Sequence, residues 1–161
     1  MEYKSTAVMA YILYQCKLNH HPINKTQCHK LLYCCYGIIM AKFDERLTNE
    51  HPRCWPYGPI FPCICVPMEK GQLTVGLAQD FAATCPPDVM HYLDLTIRTF
   101  WSYTADALSK WSRLRNSPWD KAESLGPLDD REIRLFFQGY IAIVEDRGTC
   151  QKQSQEASHG I

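Results

Sequence analysis

Apolar positions recur at helical spacing over residues 24–43, the longest periodic segment of the chain. They fall at i, i+3, i+4, i+7 and i+11, the period of a helix with one buried face: Cys28, Leu31, Leu32, Cys35 and Ile39. Asn24 can cap the start of this helix, and Lys42 suits its end. A second stripe at the same spacing is polar or small: Thr26, Lys30, Tyr33 and Gly37. Because glycine inside a helix costs roughly 1 kcal/mol relative to alanine, we expect another element to pack closely at Gly37.

The same periodicity predicts four more helices. The first covers residues 6–18, with Thr6 as its cap and Val8, Tyr11 and Ile12 facing inward. The other three run from Asp88 to Trp101, from a Thr104 cap to Leu114, and from Leu128 to Val144. Residues 63–68 suit a helical turn or a strand, and the alternation at 73–75 is too short to assign. The predicted fold is mainly α, a compact single-domain bundle of five to six helices, with room for a short β element.

Residues 51–62, HPRCWPYGPIFP, interrupt the helical pattern. Prolines at 52, 56, 59 and 62 forbid a helix and remove donors from a β ladder. Gly58 supplies a turn with little steric restriction. The segment is therefore predicted to be a stiff loop that holds four large side chains in fixed directions: Trp55, Tyr57, Ile60 and Phe61. The peptide bonds before Pro56 and Pro59 are open to either isomer, since trans is favoured by only about 0.5–1 kcal/mol.

Length and charge place the chain among single globular domains. A chain of 161 residues can bury about 68–70% of its unfolded surface. Seventeen Lys and Arg residues balance seventeen Asp and Glu residues, so net charge gives no general attraction to nucleic acid or to an anionic membrane. The sequence becomes polar from Gly148 onward. We therefore expect a helical domain over residues 1–147 and a polar, disordered tail over residues 148–161.

Nine cysteines are an odd number, unlike the even count of a secreted disulfide framework. Several fall on apolar helical faces, where a free thiol behaves as a small hydrophobic group. The sequence contains no run of eighteen apolar residues, so it predicts no membrane span. The N-terminal apolar run also lacks the small-residue cleavage site of a secretion signal. These features predict a reduced, cytoplasmic protein that does not enter a membrane.

The cysteines and histidines do not fall at the spacing of a structural zinc site. The available pairs are Cys34–Cys35, Cys63–Cys65 and Cys16–His20, none of which is C-x2-C or H-x3–5-H. Free thiols that pack in the apolar core are a simpler interpretation of these cysteines than a zinc site. We therefore expect no metal and no cofactor.

A thiol enzyme is a weaker alternative. Cys28 lies in the first turns of its predicted helix, where a thiolate could be stabilised. Its neighbour His29 points about 100° away on a helix, so His51 or His91 would have to supply a base. The chain has no nucleophile elbow, phosphate loop or dinucleotide fingerprint. We expect no catalytic residues and no enzymatic activity.

A basic segment gives one local argument for nucleic-acid binding. It interleaves cations with two tryptophans: Lys110, Trp111, Arg113, Arg115, Trp119 and Lys121. Such groups together can grip phosphate and stack on bases. The alternative is a solvated helix end whose tryptophans belong to the core, and the balanced net charge favours that alternative.

The proline-rich segment instead suggests a surface that binds protein. Trp and Tyr are residue types that concentrate binding energy, and prolines reduce the entropy lost when a loop is ordered by binding. Trp55 and Tyr57 could equally plug the core and orient the loop. Sequence alone leaves these two interpretations open.

Three motifs resemble the Panacea domain, the SocA-like, phage-associated antitoxin family. They are Lys30-Leu31-Leu32-Tyr33, then Trp55 to Pro62 (WPYGPIFP), then Leu108-Ser109 through Pro118-Trp119. Together they span roughly residues 5 to 145. The Trp-x-Tyr-Gly-Pro block at this distance from Lys-Leu-Leu-Tyr is fairly specific, whereas Pro-Trp alone is weak.

The resemblance implies a largely helical antitoxin, encoded beside a small toxin in a phage, prophage or mobile element. Such a protein neutralises its cognate toxin by direct contact, and some members deliver the toxin to a protease unfoldase as an adaptor. The residues that the resemblance marks as partner-binding or fold-defining are Lys30, Tyr33, Trp55, Tyr57, Gly58, Pro59, Ser112, Arg113 and Trp119. Lys30 and Tyr33 would present polar tips, and Trp55 and Tyr57 would be aromatic anchors. A phage-encoded modulator of a host protein is the alternative.

The chain departs from the usual Panacea pattern at several positions. Cys28-His29 replaces Leu-Gln, Cys65 replaces an aromatic residue, and Ser112-Arg113 replaces Thr-His. We expect these positions to lie on the surface or at helix ends, where changes would alter the partner more than the fold.

Overall fold

A computed structural model describes residues 2–159 of the chain, with side chains described through residue 150. In this part of the chain the fold is mainly α, as predicted, with nine helices and one two-stranded hairpin. The helices are α1 (Ser5–Leu18), α2 (Lys25–Phe43), α3 (Pro62–Glu69), α4 (Val75–Thr84), α5 (Pro87–Phe100), α6 (Ala105–Ser112), α7 (Pro118–Lys121), α8 (Asp130–Gln138) and α9 (Ile141–His159). The strands are β1 (Arg53–Trp55) and β2 (Gly58–Ile60). None of the described helices is both long and apolar enough to cross a membrane.

α2 is the central element of the fold. It contacts α1, α5, α6, α8, α9 and the hairpin, and 13 consecutive residues from Cys28 to Met40 are buried. Asn24 caps it as predicted: its side chain accepts the Gln27 amide N–H, and the Gln27 side chain accepts the Asn24 amide N–H. The helix is therefore buried all round, not on one face as its apolar stripe alone predicts.

Gly37 confirms the expected close approach. A Cβ atom built on Gly37 would lie 2.0 Å from Cδ2 of Phe137 on α8. The Phe137 ring therefore occupies the space that a side chain at position 37 would need, and α8 lies directly against the backbone of α2.

α1 and α4 pack together beside α2, and α4 is a helix that the sequence pattern did not predict. Thr74 caps α4 by accepting the Leu77 amide N–H, so the alternation of residues 73 and 75 does not mark a strand. Phe81 of α4 packs against Tyr3 and Tyr11, with ring centroids 4.9 and 5.5 Å apart. At α1 the cap position is Lys4 and not Thr6, and no side chain caps it.

The predicted helix from Leu128 to Val144 is two helices, α8 and α9. Asp129 caps α8 through the amide N–H groups of Arg131 and Glu132, and the chain turns at Gly139 before α9 begins. Glycine is a poor helix former, which favours the break there. α9 packs along α5 and continues past Gly148, whose carbonyl accepts the Nε–H of Arg98 at 2.9 Å.

Candidate functional site

The proline-rich segment folds as a short antiparallel hairpin, with Arg53 opposite Ile60 and Trp55 opposite Gly58. All described peptide bonds are trans, which settles the isomers before Pro56 and Pro59. Gly58 has φ +119°, a conformation that other residues rarely adopt. A Cβ there would also lie 2.6 Å from the Ser112 hydroxyl oxygen, so both backbone and space require glycine at this position.

Two adjacent residues of α2, Lys30 and His29, form hydrogen bonds with β2 and with the residue that follows it. The Lys30 ammonium donates to the carbonyl of Pro59 at 3.1 Å, and the Phe61 amide N–H donates to Nδ1 of His29 at 3.0 Å. Burial lowers the pKa of Lys30 to about 8 and that of His29 to about 4. Both hydrogen bonds join side chains of α2 to the backbone of the proline-rich segment, at positions 59 and 61. They therefore hold this segment against α2.

Residues 119–126, which follow α6 in the chain, form hydrogen bonds with β1. The Trp119 indole N–H donates to the Trp55 carbonyl at 2.7 Å. The amide N–H of Cys54 donates to Gly126 at 2.8 Å, and that of Leu125 donates to Cys54 at 2.7 Å. The hairpin backbone is thus bonded on both sides.

The tip of the hairpin carries exposed aromatic side chains. Tyr57 is 76% exposed and Trp55 is 40% exposed, so neither is a plug of the core. Beside them lies an open hollow of about 310 Å³, lined by Cys54, Trp55, Pro56, Trp119, Asp120, Ala122 and Ser124. We call Trp55, Pro56, Tyr57, Trp119 and this hollow the hairpin site.

We expected Lys30 and Tyr33 to present polar tips at the surface, but the structure buries both side chains. Lys30 is 1% exposed and Tyr33 is fully buried, because the hairpin and α6 cover the N-terminal half of α2, while Phe137 and Trp111 pack on the Tyr33 ring. Both residues therefore serve the fold in this structure.

The departures from the Panacea pattern are mostly buried, although Ser112 and Arg113 do lie at the C-terminal end of α6, so the expectation of surface or helix-end positions holds only in part. Cys28, His29 and Ser112 are buried, and only Cys65 and Arg113 are partly exposed. Ser112 donates to the Ser109 carbonyl at 2.9 Å, and the same carbonyl accepts from Nε of Arg113 at 3.2 Å. His29 supplies the acceptor for a buried backbone N–H, so this change is part of how the hairpin is held.

Two of the four cations in the basic segment form ion pairs with neighbouring carboxylates. Lys110 pairs with Asp106 and Lys121 with Glu132, both at 2.9 Å. Trp111 packs within a cluster of aromatic rings, and its indole N–H donates to the Tyr140 hydroxyl at 3.0 Å. Trp111 is therefore held within the aromatic cluster, whereas Arg115 is exposed and Trp119 is partly exposed beside the hairpin.

The structure brings together one thiol–imidazole pair that sequence spacing did not reveal. Cys65 Sγ on α3 lies 3.7 Å from Nε2 of His29 on α2, although the two residues are 36 positions apart in the sequence. Because Nδ1 accepts the Phe61 N–H, the neutral ring carries its proton on Nε2 and cannot take the thiol proton there. Burial also raises the pKa of Cys65, so the pair has neither a base nor a thiolate.

The other cysteines of the described chain are free thiols, and no group of three or more His, Cys, Asp or Glu side chains there is arranged to hold a metal ion. Burial raises the pKa of most of these thiols, Cys16, Cys28 and Cys34 among them. The six buried thiols pack as small apolar groups, whereas Cys63 and Cys150 are exposed.

Comparison of the chain with protein-family models, curated proteins and solved structures finds no match.

Proposed function

We propose that this protein binds another polypeptide through the hairpin site. The observation that carries the proposal is the exposure of Tyr57 and Trp55 on a backbone that is bonded to α2 on one side and to residues 119–126 on the other. Large aromatic side chains held in place before binding lose little entropy when a partner orders them. Burying them against a partner removes their apolar surface from water.

The hollow beside the hairpin favours a partner that inserts a side chain over a partner that only lies flat against the surface. An anchor side chain of the partner can enter the space between Trp55 and Trp119, while Tyr57 covers the partner from the tip. Anchors that fill such pockets carry most of the binding energy of typical interfaces. Net charge of zero is consistent with association through apolar area.

The partner that we propose is a cognate toxin, and the protein would act as its antitoxin. Support for this comes from the resemblance of the three motifs to the Panacea domain, together with the exposed aromatic pair on the central motif. Delivery of the toxin to a protease unfoldase belongs to the same proposal. A host protein bound by a phage-encoded modulator is the alternative partner for the same site.

Co-expression with the product of the adjacent reading frame tests the toxin proposal. We expect that product to arrest growth alone and the wild-type protein to restore growth, whereas W55A/Y57A fails to restore it. L135A is the matched control, since Leu135 is 50% exposed on α8 and should restore growth like the wild type. A harmless neighbouring product would contradict the toxin proposal. Full rescue by W55A/Y57A would contradict the hairpin site as the binding surface.

A further inference from the structure

A second concave site lies between the end of α5, α6 and the start of α9. It has a volume of about 320 Å³ and shares no lining residue with the hairpin site. We call it the α5–α6–α9 cleft and define it by Phe100, Tyr103, Ala107, Trp111, Tyr140 and Arg147. Its volume lies at the lower end of the roughly 300–1,000 Å³ found for small-molecule sites.

The walls of the cleft are aromatic and hold one another in place. Trp111 packs against Phe100 and edge-on to Tyr140, with ring centroids 5.6 and 5.5 Å apart. Its indole N–H is already used by the Tyr140 hydroxyl at 3.0 Å. Trp111 therefore offers the cleft its apolar ring, and mutual packing gives the cleft its shape without a ligand.

The polar groups of the cleft suit an anion. Of its lining residues in the described part of the chain, Arg147 alone carries a charge, and no described carboxylate forms an ion pair with it. Arg147 Nη1 donates to the Tyr103 hydroxyl, which orients the guanidinium and leaves further N–H groups. The Tyr140 hydroxyl accepts from Trp111 and retains its own proton to donate.

We propose that the α5–α6–α9 cleft binds a small aromatic carboxylate. The ring of the ligand lies against Trp111 and Phe100, and its carboxylate accepts hydrogen bonds from Arg147. Charge complementarity selects the anion, because a guanidinium matches the two oxygens of a carboxylate. The inference is independent of the toxin proposal, since it uses none of the hairpin residues.

Calorimetric titration of the purified full chain with 1-naphthylacetate, and with its neutral analogue 1-naphthylacetamide, tests this inference. We expect the acid to bind at least about fivefold more tightly than the amide, since charged hydrogen bonds are roughly twice as strong as neutral ones. R147Q should reduce the affinity for the acid to that for the amide and leave the amide unaffected. R131Q removes an exposed arginine elsewhere on the surface and should change neither affinity.

A107F provides a second variant that does not depend on charge. Ala107 is an exposed lining residue, so a phenyl ring there can fill the cleft without entering the core. We expect A107F to weaken both probes at least about tenfold while its melting temperature stays near that of the wild type. No binding of the acid by the wild type, equal binding of acid and amide, or undiminished binding by A107F would each overturn the inference.

Discussion

Lys30 supports the fold from inside it. Its ammonium donates to Pro59 within a buried environment shared with Cys34, and burial lowers its pKa to about 8. The unfolded chain keeps a pKa near 10.5 for this group. Between these values the unfolded state binds more protons than the folded state, so Lys30 makes stability rise as pH increases from about 8 to 10.5.

The free energy of unfolding of the wild type and of K30M, measured by denaturant titration at pH 7 and pH 10, tests this. The wild type should gain about 2 kcal/mol relative to K30M between the two pH values. Buried cysteines and tyrosines also titrate in alkali, but they do so in both proteins and cancel in the difference. An identical pH dependence for the two proteins would mean that Lys30 is not buried as described.

Gly37 is required by the Phe137 ring. G37A gains helix propensity of about 1 kcal/mol but forces Phe137 or α8 to move, and overpacking of a core costs about 1–3 kcal/mol. We expect net destabilisation of up to about 2 kcal/mol by thermal or chemical unfolding. G76A is the control, because the nearest atom to a Cβ there is Thr74 Oγ1 at 3.7 Å, and it should be neutral or stabilising. Equal stability of the two variants would contradict the close packing of α2 and α8.

At the scale of elements, the hairpin is a small structure stabilised by its neighbours. Two three-residue strands are not stable alone in water. The hairpin persists because Lys30 and His29 bond one strand while Trp119 and residues 125–126 bond the other. The exposed side chains at its tip therefore depend on contacts made far along the chain.

W119F removes the indole N–H to the Trp55 carbonyl and keeps an aromatic ring. Loss of one such bond costs about 1 kcal/mol, which corresponds to roughly fivefold faster local opening. We expect amide hydrogen exchange in residues 53–60 to increase by about that factor. W111F also loses an indole hydrogen bond, to Tyr140, and should leave exchange in residues 53–60 unchanged. Equal effects of W119F and W111F on residues 53–60 would contradict the role of Trp119.

Helical periodicity identified α1, α2, α5 and α6, but it merged α8 with the start of α9 and missed α4, although Thr74 caps that helix. α1, α2 and α5 lie close to their predicted bounds, and the caps at Asn24 and Thr104 are as predicted. α4 was missed because its buried residues, Ala78 and Phe81, become informative only against α1. α7 is four residues long and gives too few positions to show a period.

The candidate site could be predicted only in part for a related reason. Local chemistry identified Trp55 and Tyr57 as large aromatic residues on a restricted backbone, but it left open whether they point outward or plug the core. Periodicity placed Lys30 on a polar stripe but could not show that the hairpin and α6 cover that stripe. The contact between His29 and Cys65, and the cleft beside α6, depend on tertiary packing that no local pattern encodes.

At the scale of the molecule, the described part of the chain carries both proposed sites on one helical framework. The hairpin site is open and carries the most exposed aromatic residue of the described chain, Tyr57. The α5–α6–α9 cleft is more closely lined by aromatic rings and carries a single cation. The first suits a polypeptide and the second a small ligand, and α2 and α6 underlie both.

Site-specific photo-crosslinking most directly tests the claim that the hairpin site contacts a polypeptide. Benzoylphenylalanine is placed at position 57 or, as the control, at position 135 on α8, and each protein is irradiated in cells that express the adjacent reading frame. We predict a covalent adduct with that product from position 57 and none from position 135. Co-purification of the two proteins with an adduct only from position 135, or from neither position, would contradict the account.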